Sequence, residues 1–512
     1  MNNGPIDRTF RCGDRKASFP SGALTLVLFA LVAWATPSRA DDWPQFRGPN
    51  SSGISTTTKP LPVTFSNTEN VRWAAGVGEG VGGAVVAAGR VFVSGMTAKE
   101  TVSLFAFDVA TGEKLWQRDW PTGALPEVHQ INSHASSTPC ADTERAYLYF
   151  SSLGLLAVDA RTGRDVWRRP LPVPFFVFKW GAGMSPVLYR DMLVFCQDDD
   201  LSPALYAFDR TTGKQIWKDD RLDMTVNYSH PVVNTVDGRD EIVVAGTGLL
   251  IGYDPQTGQR RWHAKTLLRN IKTTPVCVDG VIYISLQSSG IANQWLAAVD
   301  QAETGNNDGK VDKVEIQAYV GKEPIPEVFF KRTFDRGDLN QDGRLEGAEL
   351  DVAFLHPENF AGAKFTSTGA SAADEFILAV RGGGTGNVTA SHVLWKHPTK
   401  HTDHVVSPFV DDGRMLLIKG GGISTVFETR TGTPLRGPKR VANATDYFAS
   451  PVSGDGKIYL AGENGTVVVL KNGPDFEELG VNDVAGSIVA TPAIADGALF
   501  IRTRDRLLCI AP

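Results

Sequence analysis

The sequence predicts an all-β chain folded as an eight-bladed β-propeller, seven being the competing count, with a small α-helical EF-hand pair inserted in one blade. Three observations carry this: a turn motif that returns at fixed internal spacing, an X-Pro marker that recurs at near-constant intervals, and a calcium-loop signature where that interval breaks.

The turn motif comes first. Asp108, Thr111, Gly112 and Trp116 lie in FDVATGEKLW, and the same spacing returns at Asp159/Thr162/Gly163/Trp167, Asp209/Thr212/Gly213/Trp217 and Asp254/Thr257/Gly258/Trp262. A weaker copy has Glu428, Thr431 and Gly432, with Arg436 where the tryptophan would stand. Alternating apolar runs flank each copy, so each is a strand, a turn and a second strand. The aspartate can accept backbone N–H bonds, and the glycine supplies the positive φ that a tight turn needs. The tryptophan is large enough to wedge between neighbouring sheets, a structural role.

The second marker is a small or polar residue before proline. It occurs at Thr138-Pro139, Ser185-Pro186, His230-Pro231, Thr274-Pro275, Ser407-Pro408, Ser450-Pro451 and Thr491-Pro492, the prolines being 47, 45, 44, 133, 43 and 41 residues apart. That interval suits one four-stranded propeller blade. Gly83-Ala84 begins an unmarked copy, giving eight starts. The last unit has room for three strands, and NVRWAA, ending the region before the first blade, reads as the missing fourth. Pairing the two would close the ring without an open edge.

The long interval locates an insert at 287–374, between the second and third strands of blade five. Within it, DLNQDGRLEGAE (338–349) has Asp338, Asn340 and Asp342 at loop positions 1, 3 and 5, Gly343 at 6 and Glu349 at 12. Calcium takes hard oxygen ligands, and this spacing turns alternate groups inward, Arg344 contributing its carbonyl. An Asp/Asn-rich surface turn is the plain alternative. A second loop, TGNNDGKVDKVE (304–315), has Asn306, Asp308, Lys310 and Glu315 in register but Thr304 at position 1, so it either binds more weakly or pairs while empty. Calcium is therefore the expected ligand, as a structural staple.

Around this body, residues 1–40 read as a signal peptide: Arg8, Arg11, Arg15 and Lys16, the apolar run ALTLVLFALVAWA, then Ser38 and Ala40 before Asp41. A membrane anchor is the alternative, for which the apolar run is short. Region 41–83 is an N-terminal segment including the closing strand, 84–286 holds blades one to five in part, and 375–512 holds the rest of blade five and blades six to eight. The mature chain carries no transmembrane span and is expected in the periplasm or outside the cell. Cys140, Cys196, Cys277 and Cys509 each fall in a strand-like run, which favours apolar packing over disulfides. A formal net charge of -6 and no dense Lys/Arg run give no basis for nucleic-acid binding.

The repeat L-x-A-x-D-x-x-T-G-x-x-x-W resembles the pyrroloquinoline-quinone (PQQ)-like propeller repeat, and WPQFRGPNSSG (43–53) is similar to the start of exported proteins of this kind common in planctomycete-type bacteria. The resemblance implies the fold. It implies function less narrowly, because the repeat serves quinoprotein dehydrogenases and the outer-membrane assembly scaffold alike. No active-site motif of the dehydrogenases can be matched residue by residue, so no catalytic residue is assigned and PQQ is not the expected cofactor.

Residues just before the X-Pro markers should ring one mouth of the channel: His134, Lys179, Trp180, Asn227, Tyr228, His230, Lys272, His401, Asp403, His404, Asp446 and Tyr447. They form either a ligand or metal site or a solvated polar rim. The preferred reading is an exported, non-catalytic binding or scaffolding propeller with a protein or glycan partner. A PQQ-dependent oxidoreductase using the axial funnel, and recognition of cell surfaces or polysaccharide, are the alternatives.

Overall fold

The computed structural model describes residues 1 and 41–512, except 225, 267–271, 287–294, 323, 355–364, 367–368, 371–375, 400–404 and 444. Residues 2–40 and His401, Asp403 and His404 thus lie outside the described residues, as do both ends of the insert.

Eight sheets form the ring, each an antiparallel meander. Blade 1 consists of Val85–Ala87, Arg90–Ala98, Thr101–Asp108 and Lys114–Pro121, and blades 2, 3, 6 and 7 repeat this order without interruption. Blade 4 (Val232–Val236, Arg239–Gly246, Leu249–Tyr253, Arg260–Lys265) gains a short parallel fifth strand, Gly386–Asn387. Blade 5 pairs Val281–Leu286 directly with Phe376–Arg381, and the insert leaves between these two strands. Blade 8 takes three strands from Ala493–Ala495, Ala498–Arg502 and Arg506–Ile510, and its outermost from Val71–Gly76, antiparallel to Arg506–Ile510. The eight-bladed expectation holds and the seven-bladed count does not.

The two sequence markers turn out to be junction devices. In each D-x-x-T-G turn the aspartate accepts bonds from the N–H groups two and three residues on: Asp159 Oδ1 takes Arg161 N (3.1 Å), Thr162 N (2.8 Å) and Thr162 Oγ1 (2.8 Å). These bonds favour the charged form and hold its pKa below the ordinary carboxylate value. The turn glycine adopts positive φ over the tryptophan of the preceding blade: a β-carbon at Gly163 would sit 2.7 Å from the Trp116 ring, and one at Gly213 would sit 2.6 Å from that of Trp167. The same indoles donate Nε1–H to carbonyls of that turn, Trp116 to Ala160 at 3.1 Å and Trp167 to Arg210 at 3.0 Å. Trp73 of the closing strand does likewise with Val109 of blade 1. Arg436, standing in for the tryptophan in blade 6, donates to Asp475 O at 2.8 Å in blade 7 and lies over the Phe476 ring.

The residue before every one of these prolines except Pro231, which follows His230, is hydroxylated, for a related reason. Gly83 N donates to Thr138 Oγ1, Thr138 N to Ser185 Oγ, His230 N to Thr274 Oγ1, Thr274 N to Ser407 Oγ, Ser407 N to Ser450 Oγ and Ser450 N to Thr491 Oγ1. The hydroxyls thus make a belt of blade-to-blade bonds at six of the eight junctions, satisfying backbone donors that would otherwise be orphaned there.

The segment before the closing strand is a strap. Trp43 pairs with Val86 in blade 1, Pro44 O accepts from Ala141 N in blade 2, and Gln45 Oε1 accepts from Leu188 N in blade 3. Asn50 exchanges two bonds with Val233 in blade 4, the Arg47 guanidinium donates to Pro408 O, and Ile54 pairs with Ser453 in blade 7. Cys140, Cys196 and Cys509 are buried, Cys277 is partly so, and all four are free thiols. Burial pushes their pKa values up, which keeps them unreactive.

Candidate functional site

The strap and the belt together shape a cavity of about 940 Å³ along the axis. Its wall includes Thr138, Ser185, Ser407, Ser450 and Thr491 of the belt. Phe46 of the strap lines it and stacks on His230, ring centroids 4.3 Å apart. The imidazole is buried, hydrogen-bonded through Nδ1 to Thr274 Oγ1 at 3.1 Å, and its pKa falls to about 3 through desolvation and the nearby Arg47 charge. His230 is therefore a neutral packing group at neutral pH.

Of the rim residues expected from sequence, Trp180, Tyr228, His230, Lys272, Asp446 and Tyr447 line the cavity. Three others are placed elsewhere. Asn227 is buried, donating to Asp198 at 3.3 Å. Lys179 pairs with Glu127 at 3.4 Å and lies over Tyr319 of the insert. His134 is half-buried, and burial lowers its pKa. The long loop between blades 1 and 2 supplies lining that the X-Pro rule missed, namely His129, Ile131 and Asn132. Its wall is aromatic and cationic: the rings of His129 and Trp180 lie 4.3 Å apart, and Lys272 Nζ is 5.4 Å from the Trp180 ring centroid.

The insert forms a second site. Strands Lys310–Asp312 and Arg344–Glu346 pair antiparallel with Val311 opposite Leu345, coupling the two predicted calcium loops. Helix α1 (Lys313–Val320) follows the first loop, α2 (Glu327–Gly337) leads into the second, and α3 (Ala348–Phe354) follows it. In the second loop Asp338 Oδ1 accepts from Asp342 N (3.0 Å), its Oδ2 from Gly343 N (2.9 Å), and Glu349 Oε1 from Leu339 N and Asn340 N. Asn340 Oδ1 accepts from Asp342 N, and Asp342 Oδ1 from Arg344 N.

The first loop reproduces this pattern with a residue the sequence reading passed over. Asp300 Oδ1 accepts from Asp308 N (2.9 Å) and its Oδ2 from Gly309 N (3.2 Å), the two bonds that Asp338 makes in the second loop. Asn306 Oδ1 accepts from Asp308 N, Asp308 Oδ1 from Lys310 N, and Glu315 from Asn306 N and Asp312 N. Asp300 therefore stands where Thr304 had been aligned, with the intervening residues folded into an extra turn closed by Gly305 N to Ala302 O. Lys310 bonds Glu346 at 2.8 Å and Arg344 bonds Asp308 at 3.1 Å, so the side chains at position 7 tie the loops together. Among the described residues no three His, Cys, Asp or Glu side chains already converge as a closed metal shell; in both loops the carboxylates cap backbone N–H groups.

No helix among the described residues is long and apolar enough to cross a membrane. A family profile described as outer membrane protein assembly factor BamB matches residues 50–175 and 179–327, more than half of the chain. The BamB of Burkholderia pseudomallei (strain K96243) is 31% identical over 193 residues, covering 37% of this chain and 45% of that protein, so the match spans less than half of the relative's length. Among solved structures, the computationally designed Ika8 protein superposes with a TM-score of 0.51 at 10% identity, covering 88% of this chain and all of that one, a likeness of fold alone. BamB from Moraxella catarrhalis gives 0.48 at 13% identity over 85% of this chain and 98% of its own. With the family profile matching more than half of its length, over 50–175 and 179–327, this chain belongs to the BamB family of PQQ-like repeat propellers.

Proposed function

We propose that the protein is an exported, non-catalytic scaffold that binds a protein partner with its propeller, in the manner of an outer-membrane assembly factor, and carries a calcium-loaded EF-hand pair as a structural module. The observation that carries this reading is the use made of the axial groups. The belt hydroxyls are spent on blade-to-blade bonds, and His230 is held neutral against Phe46 and Thr274. The exposed part of the funnel offers Trp180, His129, Lys272 and Asp446, a mixed aromatic and charged surface suited to recognition. A quinone bearing three carboxylates would find Lys272 as the one lysine or arginine among the described lining residues, a poor donor set for PQQ.

Calcium fits the insert. Asp338, Asn340, Asp342, the Arg344 carbonyl and Glu349 would hold one ion, and Asp300, Asn306, Asp308, the Lys310 carbonyl and Glu315 a second. The bound ions would neutralise carboxylates that otherwise repel one another.

The scaffold reading is tested with a photo-crosslinking residue placed at Gln130 beside the funnel or at Thr56 on the strap, in cells of the source bacterium. Adducts with one defined envelope protein from Gln130 alone are expected. Equal, diffuse adducts from both positions, together with saturable PQQ binding by residues 41–512, would replace it with the oxidoreductase reading. Calorimetric titration should give two calcium ions per chain and one after Asp338→Ala; no heat at all would retire the calcium module.

A further inference from the structure

The aromatic core of the insert is completed by a piece of the propeller. Between blades 2 and 3 the chain runs through LPVPFFVFKWGAG, and this segment lies across the EF-hand helices. Phe178 sits between the two elements that flank the first calcium loop. Its ring is 4.7 Å from Trp295, which precedes the helical turn Leu296–Asp300, and 6.2 Å from Tyr319 on α1. Phe175 meets Phe329 of α2 edge-on at 5.6 Å. Val177 and Phe178 are buried in one cluster with Ile316, Phe334 and Leu345. An apolar segment laid into the groove of paired helices is how such modules take their targets. Here the occupant is tethered and belongs to the same chain.

The other side of the segment reaches the funnel. Trp180 packs against the insert's core and also lines the axial cavity, beside His129 and beneath Lys272. Asn132, another lining residue, donates to the Trp180 carbonyl at 2.6 Å. Blade 3 supplies the footing: Asp199 accepts from Phe175 N at 2.9 Å, Asp200 accepts from Val177 N at 3.0 Å, and Arg332 of α2 donates to the carbonyls of Asp200 and Leu201. Two aromatic residues of the insert, one contact segment and the funnel wall are therefore in series.

We propose that the EF-hand pair holds segment 173–180 as a built-in target, so that calcium occupancy sets how firmly Trp180 is fixed in the funnel wall. The inference rests on the calcium reading above. The first loop is bounded by Asp300 and Glu315, and the clamp residues Trp295 and Tyr319 stand just beyond those two carboxylates. A cation shared by Asp300, Asp308 and Glu315 fixes the spacing of the elements that grip Phe178. Without it, mutual repulsion of the carboxylates loosens that spacing, and the segment with it. The funnel then becomes a binding site whose shape depends on external calcium.

Hydrogen exchange on residues 41–512, with calcium or with chelator, tests this beside the calorimetric titration. Calcium is expected to slow exchange at 175–182 by about tenfold or more, and by a smaller factor at 129–132. Glu315→Gln combined with Glu349→Gln should abolish both effects. Phe178→Leu, which keeps the core apolar, should still bind calcium and protect the loops while losing protection at 129–132. Calcium binding with protection confined to the two loops in the unaltered protein would overturn the coupling and leave the calcium module standing. No calcium binding would remove both.

Discussion

Two kinds of junction hold the ring together, and they differ most between blades 1 to 3 and the boundary of blades 4 and 5. In the first group a tryptophan, half-buried in blades 1 and 2 and buried in blade 3, leans on the D-x-x-T-G turn of the next blade and donates to its backbone. Blade 5 has no such turn; RGGGTGN stands in its place. Trp262 accordingly turns away from the neighbour. It is 1% exposed, lies over Gly252 of its own sheet and donates to Glu241 Oε2 at 2.7 Å. Glu241 in turn accepts from Asn234 Nδ2 and Gly383 N, so the glycine-rich loop of blade 5 is tied to blade 4 through a carboxylate. The same loop adds the strand Gly386–Asn387 to the edge of blade 4. The repeated tryptophan is therefore half of a device: where its partner turn is missing, the side chain changes role and the chain finds another joint.

That contrast can be broken by substitution. Trp262→Ala should give the largest effect, destabilising by about 3–5 kcal/mol in urea unfolding, because it empties a fully buried site and strips a donor from Glu241. Trp167→Ala, at a half-buried site, should cost roughly half as much; equal losses would mean that the two junctions are equivalent after all. Gly213→Ala should follow at about 1–3 kcal/mol, through positive φ and the Trp167 ring, whereas Gly238→Ala, with open space around it, should lose only the conformational part. Ser450→Ala should be milder still, about 1 kcal/mol, by orphaning Ser407 N in the belt.

The smallest effect is one of pH. Asp108, Asp159, Asp209 and Asp254 all have pKa values below the ordinary carboxylate value because backbone N–H groups, joined by a threonine hydroxyl in the first three and by the Arg261 guanidinium at Asp254, favour their charge. Their folded pKa is depressed, so the stability they lend is complete above the unfolded value of about 3.9 and is lost as pH falls through the folded one. Replacing Asp159 with Asn should lower stability slightly at neutral pH and flatten the acid limb of a thermal-melt series below about pH 4, where the two proteins converge. An unchanged acid limb would show that the turns do not use the charge.

The same contrast explains what could be read in advance. D-x-x-T-G and X-Pro are local devices repeated in sequence, so eight blades and the rim positions of Trp180, Tyr228 and Lys272 followed from counting. Asp300 escaped because an EF-hand window of fixed length begins at Thr304, and only the folded extra turn carries the earlier carboxylate into place. Phe46 and His129 escaped because each reaches the axis from a segment with no repeat. The packing of Phe178 between Trp295 and Tyr319 joins the segment between blades 2 and 3 to the insert of blade 5, a contact no periodicity encodes.

The strap gives the ring a direction in time. Trp43, Pro44, Gln45, Asn50 and Ile54 meet Val86, Ala141, Leu188, Val233 and Ser453, and the strand Val71–Gly76 finally meets Arg506–Ile510. Read along the strap, these five partners come from successively later blades, with the Arg47 bond to Pro408 falling out of that order. The stretch that leaves the ribosome early is thus finished last, drawn round like the end of a cord as each sheet arrives. Such long-range pairing makes for slow closure. A chain halted before its final strand would leave both ends of the cord untied, with two sheet edges exposed to pairing with other chains.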